Sequence, residues 1–599
     1  MPDLLRVLVA LETDEQVSAW RNSKRISADQ SVVALSPETD ASLDELGIAH
    51  KTIEDFYSEA ELMRLATPNN AVVESLCADM DRLIGVRIGA VLPEFSAYYH
   101  AGRLRVLRDA FQRAAFCLGA MLDVVNPSRV IAGRAKEGDY PEISVRTADF
   151  LSGVLAHLCR QRGIPFETLE ATGDGVVSKR HPLSMAKSYA RLVREKLRSA
   201  LKRRGDIAYF FWPGMSETAL ARSGLTAVRL PVAPKSSALE LSGFDLAGLH
   251  SYFTFGRDNL FALALPHLQA FTSAFRTRSI AQLRRTERAL KRSKARACLA
   301  FAPLGIEAVS AMLAARRANM PAIVLQHGGF NGYANFAMLA FTDFGINDHY
   351  LCYGPGVANN LAAMANRLTP VRNRPINIMP KGSPSIYAIY KSRSPLPRRQ
   401  DGPPRVIYVP TYLAGAARYL AGHHRADIAY WKLQKKVLTI LLGRPDWEVH
   451  FRPPPLLDFV RNPVLPWLQR NTGHQIRIRA DKTFSELLMT ERFDLIITEA
   501  VMTVLLESIA TEAQVVTQFE PAVMSLHPAA EAALRGRASV AFSDEAYLSD
   551  IRNALDQVQT SLRDDTFLFQ YGLAVADEDP SILQAEALAD IVKENHCAV

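Results

Sequence analysis

A histidine, an arginine and two glutamates stand in this chain where apolar runs give out into loops, and each has a plausible reaction to serve. The run Ile323-Val324-Leu325-Gln326-His327-Gly328-Gly329-Phe330-Asn331-Gly332 carries a histidine from a strand end into glycines. Imidazole titrates near neutrality and can take the proton of a hydroxyl within reach. Gly328 and Gly329 let backbone N–H groups come close to an oxyanion. A second block, Phe493 to Glu507, reads as strand, turn and helix, with Glu499 at the turn and Glu507 about two helical turns further on. Thr498, Thr503 and the N–H groups at the helix start suit a phosphate, and a helix carboxylate suits a ribose diol. The third block, Val449-His450-Phe451-Arg452-Pro453, ends a strand on an arginine suited to a diphosphate. The two-residue strand period places His450 on the side of Arg452. Gly382-Ser383-Pro384, Thr411-Tyr412 and Ser525-Leu526-His527-Pro528 are weaker signals, each where a loop follows a strand. Structural roles compete throughout: a core histidine, a helix cap at Thr498 or Glu499, a surface acid at Glu507.

The elements that must position these groups alternate short apolar runs with helical patterns, the signature of βαβ units and parallel sheets. Strands are expected at 4–10, 31–35, 128–132, 207–212, 298–302 and 322–325, with helices at 147–162 and 306–317. Lys391 to Pro404 holds four prolines and four basic residues and reads as a linker. Strands resume at 405–409, 447–451, 475–479 and 495–498, and a last helix at 581–594 can pack anywhere. The expected division is an N-terminal α/β domain over 1–390, a linker over 391–404, a C-terminal α/β domain over 405–580 and a helical tail over 581–599.

With 599 residues the chain has room for two to four domains. At 48% apolar and 22% charged residues it is neither globally disordered nor a small disulfide scaffold. The six cysteines form no CxxC pair, which fits reduced core thiols. The N-terminal apolar run meets Glu12, Asp14 and Glu15 too soon for a signal peptide. The acid-free stretch Pro321 to Thr342 carries a glutamine, a histidine, three glycines and two asparagines, which a bilayer span rarely does. Walker A, GxGxxG, GxSxG and HExxH are absent, and no metal site is expected. Lys and Arg exceed Asp and Glu by 70 to 62, a net +8. Much of the excess lies at 179–204, with ten basic residues and one acid, and at 276–296. These segments suit a solvated helix face or the anionic inner face of a membrane. No finger, RRM or KH signature points to nucleic acid.

The Gln326-His327-Gly328 loop, the Gly382-Ser383-Pro384 turn, the Arg452-Pro453 strand end and the Asp494…Glu499…Glu507 block together resemble bacterial surface-polysaccharide glycosyltransferases of the GT-B fold. Capsule polysaccharide and CDP-glycerol glycerophosphotransferase-like families share this layout. The basic segments place the expected cytoplasmic enzyme at the inner face of the inner membrane, and the resemblance implies two Rossmann-like domains facing across a cleft. It implies a CMP- or UDP-linked sugar donor as substrate, a glycan or lipid-linked acceptor, and no cofactor or metal. His327 then resembles the catalytic base, with Glu499 the second catalytic candidate. Glu507 resembles the ribose-binding acid, and Arg452, Thr498, Thr503, Ser383 and Thr411 fall on the donor side. Gly328 and Gly329 would offer backbone groups. Relatives often carry a His-Pro pair where this chain has Pro453-Pro454-Pro455. That departure keeps two alternatives open: a CDP-glycerol-type polyol-phosphate transferase, and a non-catalytic nucleotide-sugar-binding assembly subunit.

Overall fold

The computed structural model describes residues 6–597, apart from 24–28, 85–100, 134–149, 171–204, 211–216, 232–244, 273–275, 373–374, 394–401, 414–424, 455–461, 472–475, 500–502 and 558–563 and residues 302, 304, 336 and 342. The expected basic segment 179–204 and most of the expected linker lie outside the described residues.

Among the described residues, three parallel sheets organise the fold. The first holds β1 (Val7–Leu11), β2 (Gln30–Ala34), β3 (Lys51–Thr52), β4 (Arg129–Gly133) and β5 (Phe166–Leu169), in the order β3-β2-β1-β4-β5. The second holds β6 (Ile207–Tyr209) and β7 (Ala227–Arg229). After the small hairpin β8 (Thr254–Phe255) and β9 (Asp258–Asn259) it takes β10 (Ala297–Phe301), β11 (Ala322–Leu325), β12 (His349–Cys352) and β13 (Asn377–Pro380). The third holds β14 (Arg405–Val409), β15 (Glu448–Phe451), β16 (Ile476–Ile478), β17 (Leu495–Glu499), β18 (Gln514–Gln518) and β19 (Ser539–Ala541), in the order β16-β15-β14-β17-β18-β19. That order is the Rossmann arrangement, with its switch point between β14 and β17. Strands covered on both faces read as unbroken apolar runs, and Val406-Ile407-Tyr408-Val409 is buried throughout.

The second and third sheets are the two Rossmann-like layers expected. The stretch 1–390, expected as one α/β domain, carries both the first and the second sheet. Alternation of apolar runs announces βα units but does not say which sheet a strand joins. The chain also interlaces: Leu246, Phe253, Leu260 and Leu268, which precede β10, pack into the core of the first sheet. Arg162 holds Asp258 at 2.8 Å across that joint.

One apolar core runs from Cys298, Val324 and Tyr350 of the second sheet to Ile407, Ile496 and Val515 of the third. Backbone bonds reinforce it, His527 N–H to Tyr333 O at 2.9 Å and Asn335 N–H to Ser525 O at 2.9 Å. The weak 525–528 signal is thus a docking loop. After the third sheet the chain crosses back. The helix Pro580–Cys597 lays Leu588, Ile591 and Val592 on Ile207, Leu299 and Ile323 of the second sheet.

The first sheet's module meets the third sheet through charge. Arg425 holds Asp544 at 2.7 Å and Glu59 at 3.3 Å, and Ala426 N–H donates to Glu59 Oε1 at 2.7 Å. The Trp431 indole N–H donates to Asp40 at 2.9 Å. Removing one side of a partly buried ion pair leaves its partners, here Asp544 and Glu59, charged and less compensated. Arg425→Ala is therefore expected to destabilise the protein by about 3 kcal/mol, read as a lower urea midpoint. An unchanged midpoint would show that the joint adds no stability.

Candidate functional site

Beyond β11 the chain must turn at once, and Gln326 pins the turn. Its amide donates to Gly328 O at 3.0 Å and accepts from Tyr353 N–H at 2.9 Å. Gly329 then passes against the helix Thr503–Ile509 of the third layer. A Cβ on Gly329 would lie 2.8 Å from Leu506 Cδ1 and 3.0 Å from Thr503 Cα, so only glycine fits without movement. The Gly329 N–H donates to Thr503 Oγ1 at 3.0 Å. Gly332, at φ +89°, packs as closely on Val357.

His327 stands between these anchors. Its Nδ1 lies 3.6 Å from Oδ1 of Asp343, a carboxylate with no exposure, while the imidazole keeps 44% of its surface. Because Nδ1 itself is buried, solvent meets the ring on the side away from Asp343. An acceptor facing Nδ1 favours the tautomer with its proton there, which leaves Nε2 as the basic nitrogen. Burial pulls the imidazole pKa down, the Asp343 carboxylate pulls it up further, and it ends above 6.5. Sequence reasoning missed Asp343, which stands one residue past the acid-free stretch that ends at Thr342.

Across the Gly329–Thr503 bond lies the second group of side chains. Glu507 is one helical turn from Thr503, on the same face. It is buried, and the Ser485 hydroxyl donates to it. Burial raises its carboxyl to about 7, against the lowering pull of Ser485 and of the Arg452 charge. Arg452 follows β15 and donates to Arg479 O at 2.7 Å. His327, Gly328, Gly329, Thr503, Glu507 and Arg452 thus form one strip from the second layer to the third.

Four other expected residues have their polar groups engaged elsewhere or lie apart from the strip. Thr498 donates across the strand pair to Thr517 Oγ1 at 3.1 Å, and its carbonyl accepts the Tyr547 hydroxyl at 2.7 Å. Ser383 caps the helix Pro384–Ser392. Glu499 is a buried brace at the β14–β17 switch point. It accepts the Tyr408 hydroxyl, the Thr411 N–H at 3.2 Å and the Gln434 amide at 3.0 Å. Burial raises its carboxyl to about 7 as well. Thr411 gives its N–H to that brace, and its own hydroxyl is buried with no hydrogen-bond partner among the described residues.

His450, expected beside Arg452, is sealed in the core. It lies 3.0 Å from Glu448 and between Arg405 and Arg479, and burial holds it down at about 4. Among the described residues no trio of His, Cys, Asp or Glu side chains is placed to hold a metal. No described helix is long and apolar enough to cross a membrane.

No family model and no curated protein matches the chain. Solved structures do. A putative UDP-N-acetylglucosamine 2-epimerase from Listeria monocytogenes is similar at 11% identity and TM-score 0.40, over 66% of this chain and 97% of that one. The UDP-GlcNAc 2-epimerase of Methanocaldococcus jannaschii, in complex with UDP-GlcNAc and UDP, is similar at 13% and 0.37, over 65% and 98%. The wall teichoic acid polymerase TagF, soaked with CDPG, is similar at 12% and 0.35, over 69% and 99%. At these identities the likeness is one of layout, and the chemistry of the present site rests on its own residues.

Removing the Asp343 charge leaves burial as the dominant influence on His327. Asp343→Asn is therefore expected to bring the His327 pKa below 6.5, read from its imidazole proton shifts. An unmoved titration would show that the two groups are not coupled.

Proposed function

We propose that this chain is a glycosyltransferase that moves a sugar from a nucleotide donor to a hydroxyl of a glycan or lipid-linked acceptor. The observation that carries this reading is the strip itself. A histidine backed by a buried acid on one layer is tied by Gly329 and Thr503 to an acid and an arginine on the other. A base and an anion-holding group on opposing layers suit transfer between two substrates.

In this reading His327 Nε2 takes the proton of the acceptor hydroxyl as its oxygen bonds to the anomeric carbon. The bond from that carbon to the donor phosphate oxygen breaks, and the electron pair leaves with the nucleotide. Arg452 faces the departing negative charge, and preorganised charge of this kind is a large contributor to catalysis. Glu507 accepts the ribose hydroxyls. A raised imidazole pKa keeps His327 partly protonated near neutrality, so transfer rises with pH as the base form grows.

Two measurements test it. His327→Ala is expected to lower transfer by about 10²–10⁴-fold while nucleotide binding persists. Full activity in that variant would remove the base assignment. A carboxyl held at about 7 gains its charge between pH 6 and 8. Nucleotide affinity is therefore expected to rise across that interval, and to lose this dependence in Glu507→Gln. Thermal-shift panels with CMP, CDP, UDP, GDP and dTDP read both, since a ligand that binds only the folded state raises its apparent stability. A CDP-polyol belongs in the activity panel, because turnover of it alone would move the reading to polyol-phosphate transfer.

A further inference from the structure

The helix Arg276–Ser293 lies on the second layer with one face buried and the other built of cations. Ser279, Gln282, Leu283, Thr286, Leu290 and Ser293 are buried. Arg284, Arg285, Arg288, Lys291 and Arg292 are exposed, and Lys294 joins them just past the helix end. At about 100° per residue the five helical cations fall within an arc of about 120°, opposite the buried face. None of the six has an acidic partner among the described residues. The helix's one acid, Glu287, is itself paired with Arg317 of the neighbouring helix Ile306–Arg317. Six like charges on one side, with no counter-charge paired to them among the described residues, suit an external anion.

We infer that this face docks the protein on an anionic phospholipid bilayer. The inference goes beyond the reaction proposed above and stands without it. The geometry favours a plane over a groove. Residues 276–296 contain no aromatic side chain on which a base could stack. A straight row of cations instead meets a planar charged surface all at once, with long side-chain stems lying along it.

The direction of the row matters too. The helix leads into β10, so its C-terminal end lies at the edge of the sheet remote from the His327 loop. Its N-terminal end lies at the loop edge, where Arg278 meets Glu307 at 3.0 Å. The row therefore runs down the flank of the second layer and leaves the loop edge uncovered.

The test is co-sedimentation of the full chain with phosphatidylcholine vesicles, with and without phosphatidylglycerol. The intact protein is expected to bind only the anionic vesicles, and less as salt rises. The triple variant Arg284→Glu, Arg288→Glu, Lys291→Glu is expected to lose about tenfold or more of that binding. The milder triple change to Gln, checked for an unaltered thermal midpoint, covers a failure of the first to fold. Equal binding of the intact protein to both vesicle types would overturn the inference. So would undiminished binding by the folded variants, or release from the vesicles by duplex DNA at equal phosphate.

Discussion

The approach of two backbones at Gly329 governs the rest of the site. The second and third layers are separate sheets from separate stretches of chain, and they share one core. At the rim of that core the loop after β11 must come within hydrogen-bonding distance of a helix in the other layer. Gly329 N–H reaches Thr503 Oγ1 at 3.0 Å, in a space that a Cβ would fill. Because the loop is held there, His327, two residues earlier, stays beside the contact between the two layers. A looser contact would leave His327 and the Thr503–Glu507 helix face on surfaces free to part, and groups that are to act together must be held within fractions of an ångström.

The other two joints of the molecule are made differently. The first module joins the second layer by apolar packing, with Ile306 and Phe341 set into its core. It joins the third layer around the helix Asp427–Leu442 by apolar residues, with Ile428 in its own core and Ala41 in that of the third layer, and by polar groups. Asp40 accepts from Trp431 and lies 4.0 Å from Lys432, while Lys435 reaches Asp44 at 2.9 Å. An apolar joint resists water entry along its whole area, whereas a charged joint responds to salt and pH. His50 shows the point. Its two ring nitrogens face two acceptors, Ile48 O at 2.8 Å and Asp40 Oδ1 at 3.1 Å. That geometry suits the imidazolium, and the Asp40 hydrogen bond raises the His50 pKa. Its contribution is complete below the ordinary value of 6.5 and is lost as pH rises through the raised one.

Much of the architecture could be read from the residues because parallel strands buried on both faces leave unbroken apolar runs. Ala322–Leu325, Arg405–Val409 and Leu495–Glu499 sit within a residue of their expected bounds. Sheet membership could not be read, since β3 and β7 are too short to leave a pattern and the segment after β7 returns to another layer. The candidate site was legible as a location, not as a set of roles, where polar groups and chain turns coincide, at His327, Gly329 and Glu507. It was not legible where a partner arrives from elsewhere. Asp343 lies in irregular chain, and nothing local marks it as facing the histidine. Thr498 looked available because strand-end threonines often are, but register sets it opposite Thr517.

Glu499 and Glu507 show why burial alone does not identify a functional acid. Both carboxyls are raised to about 7, and in both the first cause is burial. Their surroundings differ. Glu499 is ringed by the Tyr408 hydroxyl, the Gln434 amide and the Thr411 N–H, donors from three separate elements. Such a carboxylate is satisfied from within and has little capacity left for a ligand. Glu507 has the Ser485 hydroxyl as its donor and the Arg452 charge nearby, and it shares a helix face with Thr503 at the junction of the layers. A carboxylate offers about four acceptor directions, so this one keeps capacity for hydroxyls supplied by a ligand. The same perturbed acidity thus accompanies three donors in one case and, among the described residues, a single hydroxyl donor in the other. What separates them is how many of the lone pairs the fold has already taken.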